Sequence, residues 1–171
     1  MVARFGQNCC VDHTLDPEPA FDEAMSVALD AAAGAATVGE VPIGAAVLHL
    51  AAGGGLTVVS VAVNERERTG DPTAHAEVLA LRRAAAELRR WRLDDCVLVV
   101  TLEPCPMCAG AAWASRIAGV VFGATNPDAG ATGSLYHLGQ DPRLNHEFPT
   151  LGGVMADRSA RLLEEFFAAR R

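Results

Sequence analysis

Apolar residues recur at Phe21, Met25 and Leu29, with Ala24, Ala28 and Ala32 beside them. That i, i+4 spacing is the mark of a helix with one buried face, and it predicts a helix from residue 21 to about residue 34, where Gly34 interrupts it. Residues 42–50 and 56–63 are rich in Val, Leu and Ile and read as two strands, joined by the loose loop 51–55 with its three glycines. After the turn residues Thr69-Gly70-Asp71-Pro72, a second helix is predicted from Thr73 or Ala74. Its expected inner face is Val78, Leu81, Ala85 and Leu88, and its outer face Arg82, Arg83, Glu87, Arg89 and Arg90. Residues 96–101 form a short unbroken apolar run, the pattern of a central strand buried on both sides. A third helix follows from Pro106 to about Ile117, then a strand over 120–123. The Gly- and Pro-bearing stretch 124–150 predicts a long loop with a helical turn near 141–144. A last strand is expected at 153–155, then a helix from Asp157 pairing Leu162 with Phe166 and Leu163 with Phe167. Hairpin, helix, strand, helix, strand and terminal helix predict an α/β sandwich around a mixed sheet.

Polar, Pro-punctuated residues 1–18 read as a disordered lead-in, leaving 19–171 as a single domain of ordinary size. No apolar run approaches the roughly 18 residues of a membrane helix, and residues 1–10 lack the apolar core of a signal peptide, so the expected location is the cytoplasm. In that reducing compartment five cysteines do not predict a disulfide framework, and Cys96 reads as a buried strand thiol. The net charge is -7, but residues 1–40 hold seven acids against one Arg, while residues 41–171 hold fourteen against thirteen. The acidity is therefore mostly N-terminal. Every basic residue other than His is Arg, the better bidentate phosphate ligand. Charge neither supports nor excludes a nucleic-acid partner.

The chemistry lies in two short runs, Thr73-Ala74-His75-Ala76-Glu77 and Glu103-Pro104-Cys105-Pro106-Met107-Cys108. Cys105 and Cys108 are three apart, with Pro106 suited to the first position of a helix, so both sulfurs can share one face of a first turn. His75 opens another helix. Two thiolates and an imidazole suit zinc, and three protein ligands leave the open position of a catalytic site. Helix N-termini favour the thiolate forms. Glu77, two residues past His75, is placed to take a proton from an attacking water and return it to a ring nitrogen and the departing amine. The combination H-x-E with P-C-x-x-C is a signature of zinc-dependent base deaminases. A closed structural site would need a fourth ligand from Cys9, Cys10, Cys96, His13, His49, His137 or His146, none at motif spacing.

With these residues in place, the chain resembles the bacterial tRNA-specific adenosine deaminases from about residue 39 to residue 167. Besides the two runs above, the resemblance rests on Gly39-Glu40-Val41-Pro42-Ile43-Gly44, Asn64, Ser115-Arg116-Ile117, Val121-Phe122-Gly123-Ala124, Gly133-Ser134-Leu135, Leu144-Asn145-His146 and Glu165-Phe166-Phe167. It implies a cytidine-deaminase-like three-layer α/β/α sandwich with a five-stranded mixed sheet, one Zn2+ per chain on His75, Cys105 and Cys108, and Glu77 as proton shuttle. It further implies a homodimer acting on a tRNA anticodon loop. Asn64 matches a position that contacts the flipped nucleotide, and a strand-end turn residue would look the same. Phe167 matches an aromatic near the bound loop, though its helical spacing equally suits the core. Asn126 stands where these enzymes often carry Asp facing the nucleotide backbone, which predicts an altered hold on RNA or relaxed discrimination against DNA. Trp113 is similar to an aromatic that guanine deaminases place nearby; packing at the dimer interface is the other reading.

Three functions follow. Conversion of the wobble adenosine of tRNA to inosine needs an open, Arg-lined groove around the metal. Deamination of free guanine or cytosine needs a lidded pocket. A non-catalytic zinc scaffold would have no use for Glu77.

Overall fold

The computed structural model describes residues 15–51 and 54–170. The expected disorder over 1–18 lies mostly outside them; residues 15–18 are irregular chain leading into the first helix.

Helix α1 spans Pro19–Thr37 with Pro at its start, where a missing N–H costs nothing. It runs three residues past Gly34, which the alanine-rich flanks tolerate, and ends at Gly39, φ +92°. Strands β1 (Gly44–Leu50) and β2 (Leu56–Val63) form the hairpin. Pro42, with no N–H to give a ladder, stays outside β1. A short helix α2, Arg66–Thr69, follows; nothing in the apolar pattern predicted it. Helix α3 covers Ala76–Glu87, β3 Cys96–Leu102, α4 Pro106–Ala114 and β4 Gly119–Ala124. A single 3-10 turn at Leu138–Gln140 replaces the helical turn expected at 141–144, where Asp141 instead folds back onto the Arg143 N–H (3.0 Å). The last strand, β5, is Thr150–Gly152 rather than 153–155, because Gly153 (φ +91°) and Met155 (φ +52°) turn the chain into helix α5, Ala156–Ala168.

The sheet order is β2-β1-β3-β4-β5. β1 pairs antiparallel with β2 and β3, and β3-β4-β5 run parallel, giving the mixed five-stranded sheet. Alternate residues of the strands serve opposite faces. Ala46, Leu48, Val97, Val99 and Val121 pack with Phe21, Met25 and Leu29 of α1 and Leu162 of α5. Ala45, Val47, Leu98, Val100, Val120 and Phe122 pack with Ala80, Leu81 and Ala84 of α3 and Ala112 of α4. Helices thus cover both faces in three layers. On α3 the buried face is Ala76, Glu77, Ala80, Leu81 and Ala84, so of the expected inner face only Leu81 is fully buried. Small alanines let the helix approach the sheet, and Val78, Ala85 and Leu88 fall to its half-buried flank. No helix among the described residues is long and apolar enough to cross a membrane.

Register fixes where the site lies. Gly44 pairs with Val63, Ala45 with Val100, and Leu102 with Ala124. The start of β1 and the ends of β2, β3 and β4 therefore share one end of the sheet, where α3 and α4 begin.

Candidate metal centre and active site

His75 is the N-cap residue of α3 and Cys105 that of α4; neither makes a side-chain capping bond. Pro106 holds the first helical position and Cys108 lies one turn along. Two helix starts thirty residues apart in sequence thus present donors to one point. The His75 Nδ1 atom is 3.8 Å from Cys105 Sγ and 3.5 Å from Cys108 Sγ, and all three donor atoms lie within 4.8 Å of one another. Tetrahedral zinc, with bonds of about 2.3 Å to sulfur and 2.0–2.1 Å to nitrogen, requires nitrogen–sulfur separations of about 3.6 Å. The donor set fits.

Among the described residues no fourth His, Cys, Asp or Glu joins this group. His49 is 3.3 Å from Asp95, and His146 Nε2 is 2.9 Å from the Ile117 carbonyl; Cys9, Cys10 and His13 lie outside the described residues. Three donors are what an open zinc position needs.

The sulfurs and the imidazole lie within hydrogen-bond reach of one another. Cys105, bonded by Cys108 and then by His75, has its thiol drawn down to about 4, and Cys108 is correspondingly pushed up. The bond from Cys105 raises His75, against its partial burial. A thiolate-bearing set is ready for a cation. Glu77 is 4 % exposed in the first turn of α3. Burial, with the Cys105 charge adding to it, pushes its carboxyl up from the ordinary carboxylate range. A buried carboxyl poised toward its protonated form beside a cation-binding set is equipped for proton transfer.

Asn64 is buried at the end of β2. The Glu65 N–H that follows donates to Ala74 O (2.9 Å), next to His75, which ties this strand end to the metal-binding segment. Asn126 is half-buried after β4, and its Oδ1 accepts the Ala129 N–H at 3.1 Å. Phe167 is 49 % exposed, while Phe166 fills the core position, so the core reading of Phe167 is corrected. The helix has turned Phe167 outward, edge-on to Phe166 at 5.4 Å. Trp113 packs half-buried against the α3–α4 side of the core, under Arg116 at 5.1 Å.

Two buried carboxylates were missed from the sequence. Glu103 (1 % exposed) accepts the N–H groups of Asn126 (3.0 Å), Thr132 (3.2 Å) and Ser134 (2.8 Å), and the Ser134 hydroxyl. Glu40 accepts from Asn64 Nδ2 (2.9 Å) and the Arg68 N–H (2.6 Å). Both stood in quoted motifs, but their partners lie 23 to 31 residues away in sequence, beyond the reach of local pattern. Gly130 packs directly on that carboxyl: a Cβ there would stand 2.4 Å from Glu103.

A three-donor metal set beside a buried carboxyl, at the sheet end of a three-layer α/β sandwich, defines a zinc-dependent hydrolytic deaminase. Residues 20–124 match the profile of the cytidine and deoxycytidylate deaminase zinc-binding region, and the chain belongs to that family. It is 41% identical over 152 residues to a tRNA-specific adenosine deaminase of Haemophilus influenzae, covering 88% of this chain and 86% of that one. It is 46% identical over 160 residues to a tRNA(Ile)-lysidine synthase of Deinococcus radiodurans, of which it spans only 26%. Among solved structures it resembles one from a study of A-to-I editing by tRNA:A34 deaminases, with TM-score 0.76, 35% identity, and coverage of 82% of this chain and 99% of that one. A guanine deaminase from Nitrosomonas europaea matches with TM-score 0.71 and 26% identity, over 92% of this chain and 91% of that one.

Proposed function

We propose that this enzyme converts adenosine to inosine at the wobble position of a tRNA anticodon. The reading is carried by the 41% identity that extends across nearly all of both chains to a tRNA-specific adenosine deaminase, together with the assembled His75, Cys105, Cys108 and Glu77. Similarity to the guanine deaminase is weaker, at 26%. Residues 19–171 act as one deaminase domain, in the cytoplasm with its tRNA.

His75, Cys105 and Cys108 would hold one Zn2+, which supplies Lewis-acid activation of water at neutral pH. Glu77 takes the proton that water loses as its oxygen bonds to C6 of the adenine. The same carboxyl delivers that proton to the ring nitrogen, then carries the proton of the hydroxyl now on C6 to the exocyclic amine, so that the C6–N bond breaks, C6 becomes a carbonyl and ammonia leaves. An anticodon loop is single-stranded, so its base can be splayed into such a site at modest cost. Asn64, Asn126 and Phe167 are proposed to contact the nucleotide and its neighbours. The enzyme pairs with a second copy through the side of α3 and α4, where Met107 is 37 % exposed and the buried Trp113 Nε1 has no hydrogen-bond partner among the described residues; sedimentation at twice the monomer mass is the expected result.

The test is incubation of zinc-loaded protein with tRNA bearing adenosine at the first anticodon position, beside free guanine and cytosine. Inosine at that position, with the free bases untouched, is expected; turnover of a free base alone would sink the reading. Glu77→Gln should keep its zinc by elemental analysis and lose turnover by about 10²–10⁴-fold, whereas Cys105→Ala should lose the metal.

A further inference from the structure

Glu40 sits between the end of α1 and the start of β1, 2 % exposed, with its own N–H bonded to Ala35 O (3.2 Å). Its two oxygens receive two different donors: Oε1 the Arg68 N–H of α2 at 2.6 Å, and Oε2 the Asn64 Nδ2 at 2.9 Å. A carboxylate has acceptors only. An asparagine amide, in contrast, carries a donor at one end and an acceptor at the other, and turning it over exchanges them. With Nδ2 committed to Glu40, the Oδ1 of Asn64 is held on the side away from Glu40. The Glu65–Ala74 bond holds this strand end beside His75.

We infer that Glu40 is a positioning residue for the reaction: it fixes which end of the Asn64 amide the substrate meets, so that the site presents a carbonyl acceptor there. The inference rests on the proposed role of Asn64 as a nucleotide contact. An acceptor at that point selects a ligand that offers a donor, an N–H or a hydroxyl, and disfavours one that offers a lone pair.

The polarity argument makes a compensating pair of substitutions possible. In Glu40→Gln the new side chain has one acceptor, which the Arg68 N–H takes, and an NH₂ group that faces Asn64. Two amide nitrogens then oppose each other until Asn64 turns over, which places Nδ2 toward the substrate. Adding Asn64→Asp supplies an acceptor to that NH₂ group, and the second carboxyl oxygen again faces the substrate. The experiment measures kcat and KM on the adenosine-bearing tRNA for the parent, for Glu40→Gln and for Glu40→Gln/Asn64→Asp, with zinc content and melting temperature for each. Glu40→Gln should retain zinc and lose about tenfold or more in kcat/KM, the scale of one misplaced hydrogen bond; the double variant should recover most of it. Full activity in Glu40→Gln, or a folded, zinc-loaded double variant no better than the single one, overturns the inference. If Glu40→Gln does not fold, the activity of the double variant decides by itself.

One measurement is independent of which substrate is right. In the unsubstituted zinc-loaded protein, the Asn64 side-chain NH₂ should exchange slowly with solvent by ¹⁵N NMR, and rapid exchange overturns the inference. If a free base, not tRNA, proves to be the substrate, the functional reading fails while the same variants test Glu40 on that base.

Discussion

Two buried glutamates, Glu103 and Glu77, show how surroundings assign a role to a side chain. Glu103 is ringed by N–H and hydroxyl donors; burial opposes its charge, but the Asn126 and Ser134 donors outweigh that and hold it below the usual carboxylate range. Glu77 has the opposite balance, with burial dominant and its carboxyl pushed up. Groups of one type driven apart in this way distinguish a carboxyl held ionised by its donors from one free to take up a proton, the role proposed for Glu77. Glu103→Gln turns an acceptor into a donor among donors, so it should lower the denaturant-unfolding free energy by about 1–3 kcal/mol; Glu77→Gln should shift it far less. At the surface, Phe167→Ala should change stability by about 0.5 kcal/mol or less, yet raise KM for tRNA if the ring meets the anticodon stem-loop, which steady-state kinetics would read. Asp95 supplies the pH-dependent case. Its partial burial is outweighed by Arg90, Cys96 and His49, so its carboxyl is lowered. A lowered carboxylate contributes stability above its unfolded pKa of about 3.9, lost as pH falls through the lower folded value. Asp95→Asn should therefore flatten the acid limb of a melting-temperature–pH profile and depress the plateau near neutrality only slightly.

Elements meet where small residues permit it. A Cβ on Gly44 would stand 2.0 Å from the Ala28 carbonyl oxygen, a backbone atom that cannot move aside. Gly44→Ala should force α1 off β1 and cost at least about 1–3 kcal/mol, the range for overpacking, measurable by chemical denaturation. The apolar pattern located all four long helices and four of the strands, because each carries a periodicity of its own. It misjudged the inner face of α3, since Ala76, Ala80 and Ala84 bury deeply while adding little hydrophobic contrast to the sequence. It misplaced β5, whose three residues are too few to show alternation and whose position follows from pairing Val121 with Leu151. The donor triad was legible for a simple reason: Cys105 and Cys108 are local, and His75 and Glu77 share one helix start. Glu40, Glu103 and α2 were not, because their meaning depends on partners that only the folded chain supplies.

Across the whole molecule, the cation would tie α3 to α4, joining two stretches that meet in no shared strand. A ligand bound only by the folded state stabilises it by about 4 kcal/mol at a thousandfold excess over its Kd. Chelation should accordingly lower the melting temperature in a thermal shift assay, and zinc, but not magnesium, should restore it, as the sulfur donors require. The two ends of the described chain have opposite relations to this chemistry. Leu15 rests against Gly119 at the start of β4, the far end of the sheet from His75, whereas the Arg170 guanidinium reaches Gly39, the neighbour of Glu40. Cargo joined after Arg170 is therefore expected to lower turnover on the proposed tRNA substrate more than the same cargo joined at the opposite end of the chain, which parallel assays of the two fusions would read.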